Sequence, residues 1–222
     1  IDSIKNYIQY AQINQDLIGF EHYQGILGSD AIDTALLTKM RALIGEDILE
    51  GVMQPLSSVA ERMHNHIWSI WERVNGQGNK AYIHTAKTMQ MFEDNPQLKI
   101  AKYHSYISSI INHASICLDA PTHLDELPQW LSIGEDWMNQ HPEDAQDFRG
   151  VFMLFMVQYY QYKSDSNACW EYWQSEVHIF MSNVNDSSHY WVQCLHLAAL
   201  QTSIETENND WTKAVFAYFS TH

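Results

Sequence analysis

Glu61 and His64 stand three apart in the run Glu61-Arg62-Met63-His64, the Glu-x-x-His spacing with which helix-borne carboxylate centres hold metal. On a helix the two side chains share a face. Such a centre needs a second Glu-x-x-His and two further inward glutamates, and the sequence has none. Glu61 also falls opposite the apolar stripe containing Met63 and Ile67, which turns it toward solvent, so no metal is expected. The 12 histidines are scattered. His64 and His66 lie ~200° apart around a helix, and His189 and His196 share a face but stand ~10 Å apart along it. His104 and His113, nine apart, form no chelating pair either. All read as hydrogen-bonded or half-exposed side chains. Cys117 and Cys194 have apolar neighbours (Ile116, Leu118, Leu195) and no adjacent cation to lower a thiol pKa. A nucleophile should come with a base and an orienting group, and no Gly-rich phosphate loop, Gly-x-Ser-x-Gly elbow or His-Glu-x-x-His occurs. The reading is no catalytic residue and no cofactor.

Paired carboxylates occur at Glu46-Asp47, Asp125-Glu126, Glu135-Asp136 and Glu143-Asp144. Three of the four fall near expected helix starts, where the helix dipole favours negative charge. The aromatics are more suggestive. Trp68, Trp71, Tyr159, Tyr160, Tyr162, Trp170, Tyr172, Trp173, Tyr190 and Trp191 exceed what one stripe per helix can bury. Positions 170, 172 and 173 cannot share one face, so some of Tyr160, Tyr162, Tyr172 and Tyr190 are expected at the surface. Aromatics set among acidic residues suit a protein-binding surface. The residues expected to contact a partner are Asp125, Glu126, Glu135, Asp136, Tyr160, Tyr162, Glu171 and Tyr172.

The charge distribution names the sort of partner. The chain of 222 residues carries a formal net charge of −15. Residues 1–102 hold 12 acidic and 9 basic side chains, whereas residues 103–222 hold 15 and 3. That field repels nucleic-acid phosphate and anionic membranes and attracts a basic protein or peptide. An ordinary solubility role is the competing explanation. A hydrophobic fraction of 45% excludes disorder, and no apolar run approaches the ~20 residues that span a bilayer. Three cysteines without Cys-x-x-Cys spacing read as reduced thiols, and the opening residues lack a signal-peptide pattern. The expected localisation is cytoplasmic.

The elements that position these residues are helices. Helix-breaking points recur at Asn95-Pro96, His141-Pro142 and Asn185-Asp186. A second series lies at Pro121-Thr122, Ser164-Asp165-Ser166 and Asn208-Asn209-Asp210. The resulting period of 42–46 residues predicts first helices over 80–94, 123–140, 166–183 and 210–221, and second helices over 97–118, 143–163 and 187–207. Trp130, Trp173 and Phe216 keep a 43-residue register, as do Trp137 with Phe180 and Met138 with Met181. Asp165 or Ser166, and Ser187 or Ser188, can cap helices, and Glu143, Asp144 and Asp147 complement a helix dipole.

Before residue 75 the pattern differs. Ile4, Ile8, Ala11 and Ile18 give a first helix ending near Gly25 and Gly28, and Ser29 or Asp30 can cap a second. Gly45 and Gly51 weaken a third stretch. Pro55 opens a long helix over 55–74, with a stripe from Leu56 to Val74 that reads as core or as a homodimer seam. Asn75-Gly76-Gln77-Gly78-Asn79 reads as a flexible boundary. The domains are then 1–75, an N-terminal helical bundle, and 80–222, a helical-repeat domain.

The run His-Pro-Glu-Asp-Ala-Gln-Asp-Phe from His141 to Phe148 resembles the junction between tetratricopeptide-type repeats, where a Pro-acidic-Ala run opens a new hairpin. The period is longer than in that family and the Trp-x-x-Leu-Gly pattern is missing; the repeat length is similar to that of the HEAT and armadillo class. The resemblance implies a protein-binding surface and no catalysis. The expected fold is thus all-α, an α-solenoid-like stack of about three and a half helix pairs behind a short bundle. The expected function is non-enzymatic binding of a basic protein or peptide, in its sharpest form an inhibitor or immunity-type protein neutralising a toxin or nuclease. The alternatives are an all-helical metal- or His/carboxylate-dependent enzyme with its pocket between bundle and repeats, or the peptide-sensing half of a regulator.

Overall fold

The computed structural model describes residues 2–24, 34–141, 146–183 and 190–219, and over these residues the protein is helical, with no strand. The helices are α1 (Asp2–Gln24), α2 (Thr34–Ile44), α3 (Glu46–Leu49), α4 (Ser58–Val74), α5 (Gly78–Asp94), α6 (Pro96–Ala101), α7 (Tyr103–Asp119), α8 (Leu127–Gln140), α9 (Gln146–Tyr162), α10 (Ser166–Tyr172), α11 (His178–Asn183), α12 (Tyr190–Glu205) and α13 (Asn209–Phe219). A 3₁₀ turn, Pro121–Glu126, precedes α8, and a π-helical turn, Trp173–Val177, joins α10 to α11. No helix among the described residues is long and apolar enough to cross a membrane. Contacts gather the chain into two compact units, Ile1–His123 and Leu124–His222.

In the first unit α4 packs against α1 and α5, and α5 against α7. α4 begins at Ser58 rather than at Pro55, because Ser57 is the cap: its hydroxyl accepts from the Ala60 N–H at 3.2 Å. Ala60, Ile67, Ile70 and Val74 of its stripe are buried in this unit's core, which leaves Leu56 and Val59 as its exposed end.

The isoleucines that mark α1 do not line its buried face. Ile4, Ile8 and Ile18 are exposed, while Asn6, Tyr10 and Leu17 point inward. Polar ties to the 53–56 loop decide the rotation. Asn6 donates to the Gln54 carbonyl and accepts from the Leu56 N–H, both at 2.9 Å, and the Tyr10 hydroxyl donates to the Met53 carbonyl at 2.9 Å. These bonds satisfy backbone groups that burial would otherwise leave unpaired.

The Asn75–Asn79 stretch forms a hydrogen-bonded turn inside the first unit. Gly76 takes φ +71°, and Gly76 N–H and Gln77 N–H return to the carbonyls of Arg73 and Glu72 at 2.9 and 2.8 Å. Gly78 then opens α5 directly against the end of α7. The neighbouring Arg73–Asp119 ion pair, Nε to Oδ2 2.5 Å, and the Thr122 hydroxyl donating to the Asn79 side-chain oxygen at 2.8 Å pin the same corner.

In the second unit α9 packs against α8, α10 and α12, and α12 against α13. The core joins Val157, Cys169, Trp173, Val177, Met181, Leu195, Trp211 and Val215. The turns after α9 and α12 repeat one another. Ser164 (φ 54°) and Glu207 (φ 52°) adopt the left-handed conformation, and the next N–H reaches back to Tyr160 or Ser203 at 3.0 or 3.1 Å. Asp165 and Asn208 then cap the following helices, accepting from Ala168 N–H and Trp211 N–H at 3.0 Å each. The expected Asp165 cap is therefore present. Met138 and Met181 are both buried, as their register requires; Trp173 is buried whereas Phe216 is exposed, so that register does not carry environment with it. The expected caps at Ser29, Asp30, Ser187 and Ser188 and the dipole charges at Glu143, Asp144 and Asp147 lie outside the described residues or side chains.

Candidate functional site

All eight residues singled out as partner contacts lie in the second unit, on or beside α8, α9 and α10. α8 presents Glu135 and Asp136, both exposed. The π turn, one residue longer per turn than the helix it interrupts, carries Glu176 to the same place. Glu135, Glu176, Arg149, Asn139 and the apolar side chains Met138, Phe152 and Met153 line a cleft of about 220 Å³. Arg149 is the cation of this cleft and donates to the Asn139 side-chain oxygen at 2.9 Å. Partial desolvation of the carboxyl at the cleft wall, then the neighbouring Glu176 and more weakly Asp136, push Glu135 above its usual range, with Arg149 offsetting part of the effect.

The tyrosines join this cluster from the other side. Tyr172 is half-buried, its hydroxyl pushed far up first by burial and then by Glu135, Glu176 and Tyr160. Its ring lies 5.9 Å from that of Tyr160, which in turn meets Tyr159 edge-on at 5.6 Å. Burial and nearby anions, Glu171 among them, also raise Tyr160. Tyr160 and Tyr172 thus give one flank to the core and the other to the acidic surface, while Tyr162 is 60% exposed and Tyr190 63%. Asp125 stands apart from Glu135: its carboxylate pairs with Lys163 at 2.5 Å, and Lys163 also lies over the Tyr159 ring. The structure therefore brings Glu135, Asp136, Tyr160 and Tyr172 into one neighbourhood, adds Glu176 and Arg149, and spends part of the Asp125 charge on Lys163. Glu176 was not legible in the sequence because regular α-helical counting from Ser166 ignores the π turn.

A second feature lies in the first unit. Asn14, Arg62, His66, Thr85, Thr88, His104, Ser105 and Asn112 line much of a cavity of about 320 Å³ between α1, α4, α5 and α7. His66 Nδ1 lies 2.5 Å from the Asn14 side-chain oxygen, an acceptor, which assigns the proton to Nδ1 and leaves Nε2 unprotonated. Burial, assisted by the Arg62 charge, lowers the His66 pKa to about 4, so the ring is neutral at pH 7. Nearby, Tyr10 hydroxyl meets His64 Nδ1 at 3.0 Å, and Trp68 stacks on His84 at 5.7 Å. Burial also lowers His84 to about 4. Thr85 meets His113 Nδ1 at 2.7 Å. His64, His66, His84 and His113 thus face amides, hydroxyls and rings. Glu61 is exposed, and no cluster of three His, Cys, Asp or Glu with metal-holding geometry occurs among the described residues. Cys117 and Cys169 are buried, Cys194 is half-buried, and burial raises the Cys169 thiol to about 11.

Comparison with known proteins finds no family model, no curated protein and no solved structure that matches this chain.

Proposed function

We propose that the second unit is a non-enzymatic binding module that takes a basic protein or peptide on the acidic, tyrosine-bearing side of α8, α9 and α10. The observation that carries this reading is the crowding of like charge at Glu135. A carboxylate held above its usual range by partial desolvation at the cleft wall and by Glu176 gains from any cation that arrives. Arg149 alone does not offset the surrounding anions. A lysine or arginine from a partner relieves that repulsion, and the exposed flanks of Tyr160, Tyr162 and Tyr172 supply amphipathic anchors beside it. Long-range steering comes from the unit as a whole, where residues 124–222 hold 14 acidic and 3 basic side chains. Neutralisation of a basic toxin or nuclease is the sharpest form of this role.

The cavity of the first unit favours binding over turnover in the same sense. His66 in its lining is held by the Asn14 side-chain oxygen rather than by a carboxylate that would orient an imidazole as a general base.

The test is a titration of a fluorescent Arg- and Lys-rich peptide into the protein and into a variant with Asp125, Glu126, Glu135 and Asp136 all changed to Lys. Loss of at least about tenfold in affinity is expected. Unchanged affinity would remove this face from the reading.

A further inference from the structure

Arg62 is the one side chain that lines both the polar cavity of the first unit and a larger neighbouring cleft of about 520 Å³ while carrying a positive charge out of water. Burial pushes its guanidinium down from its ordinary range, and Tyr7, which lines the same larger cleft, acts weakly against this. The contact the structure gives it is the face of Phe92, 5.9 Å from the ring centroid; it has no hydrogen bond or ion pair among the described residues. A ring face offsets part of the charge but supplies no acceptor for the five N–H donors. A half-desolvated cation without an anion is costly to maintain.

The larger cleft has the complementary composition. Ile4, Met63, Met91, Phe92 and Leu98 give it an apolar wall, Lys102 brings a second cation to its lining, and no carboxylate is among the described lining residues. Lys102 likewise has no ion pair among the described residues. In a chain with 27 acidic and 12 basic side chains, two cations without carboxylate partners around one apolar cleft are a selective arrangement. Its size falls in the range of small-molecule sites, and the two methionines adapt to an unbranched chain.

We propose that the first unit binds a medium-chain aliphatic carboxylate, its carboxylate against Arg62 with Lys102 at the rim and its chain among Ile4, Met63, Met91, Phe92 and Leu98. Arg62 has the forked donor geometry for a bidentate carboxylate contact. A single desolvated guanidinium matches a monoanion, and the apolar lining matches a tail rather than a hydrated polyanion.

Isothermal titration with decanoate, decanol and inorganic phosphate tests this on the full chain. Decanoate is expected to bind at least about tenfold more tightly than decanol, the order of one charge-assisted contact, and phosphate not to bind. Arg62→Met should abolish the preference for decanoate over decanol, and Arg62→Lys should keep part of it. Leu98→Asp, which places a like charge in the cleft, should abolish decanoate binding and leaves a test if Arg62→Met does not fold. Equal binding of decanoate and decanol, binding of neither, phosphate binding as tight as decanoate, or undiminished decanoate binding by either Arg62→Met or Leu98→Asp would overturn the proposal.

Discussion

A Cβ added at Gly78 would lie 1.8 Å from the backbone carbonyl oxygen of Asp119, a contact that only a shift of α5 away from α7 could relieve. Gly45 offers the opposite case. Its φ of +84° disfavours any L side chain, yet no atom stands within 4 Å of a Cβ placed there. Gly78→Ala is therefore expected to destabilise by about 3 kcal/mol or more through overpacking against backbone, and Gly45→Ala by about 1–2 kcal/mol through backbone strain alone. Chemical denaturation of the two variants checks the order; a smaller loss at position 78 would contradict the packing of α5 on α7. His66 links this unit to pH. Its folded pKa is about 4, against ~6.5 in an unfolded chain. Between those values the unfolded chain binds the extra proton, so stability is lost as pH falls from 6.5 toward 4. His66 alone contributes at most about 3 kcal/mol to that loss. Urea midpoints measured from neutral pH down to about pH 4.5 should fall less steeply in His66→Gln, which keeps a donor for Asn14; an unchanged slope would assign the loss to other groups.

Residue identities explain where the sequence was legible and where it was not. Apolar spacing marks α1 as a helix, but Ile4, Ile8 and Ile18 do not set its buried face. Asn6 and Tyr10 decide it, through hydrogen bonds to a loop some 45 residues later, and no local pattern encodes such a tie. The cleft beside Arg62 was missed for a related reason: its lining comes from α1, α4, α5, α6 and α7, too dispersed for spacing to group.

At the scale of elements, the clearest recurrence is the turn that ends α9 and α12. Each places a non-glycine residue in the left-handed region and follows it at once with a side-chain cap. The sequence marked both turns through Ser164-Asp165-Ser166 and Asn208-Asn209-Asp210, since polar residues of this kind compete with helical backbone bonding. Helix limits from Pro, Asn, Asp and Ser were consequently close to those observed, as at the start of α10 and the end of α5. The break between α6 and α7 at Lys102 and the π turn at Trp173 carry no such signal. Opposite effects are expected from two neighbouring substitutions. Ser164→Gly should stabilise by about 1 kcal/mol by relieving the left-handed strain. Asp165→Ala should destabilise by about 1 kcal/mol by removing the cap of α10. Thermal melts of both variants test this, and a shift of the same sign in both would contradict the shared turn.

Over the whole molecule, the two units differ in charge. The first holds 13 acidic and 9 basic side chains, and several of its cations are paired, as Arg41 is with Glu46 and Arg73 with Asp119. The second has three cations, of which Lys163 is engaged by Asp125 and Arg149 faces Asn139. Its remaining negative charge has little internal outlet and crowds at Glu135 and Glu176. Interactions between exposed charges are screened beyond ~8 Å at physiological salt, so a partner captured by this field should bind with a strong dependence on ionic strength. The most direct measurement is the salt dependence of affinity for an Arg- and Lys-rich peptide, compared between the protein and the variant with Asp125, Glu126, Glu135 and Asp136 changed to Lys. The protein should bind tightly at low salt and lose about tenfold or more by physiological salt, and the variant should bind weakly at every salt with a flat dependence. Equal affinities and equal slopes in the two would contradict an acidic docking face and leave the charge of the second unit as a means of solubility.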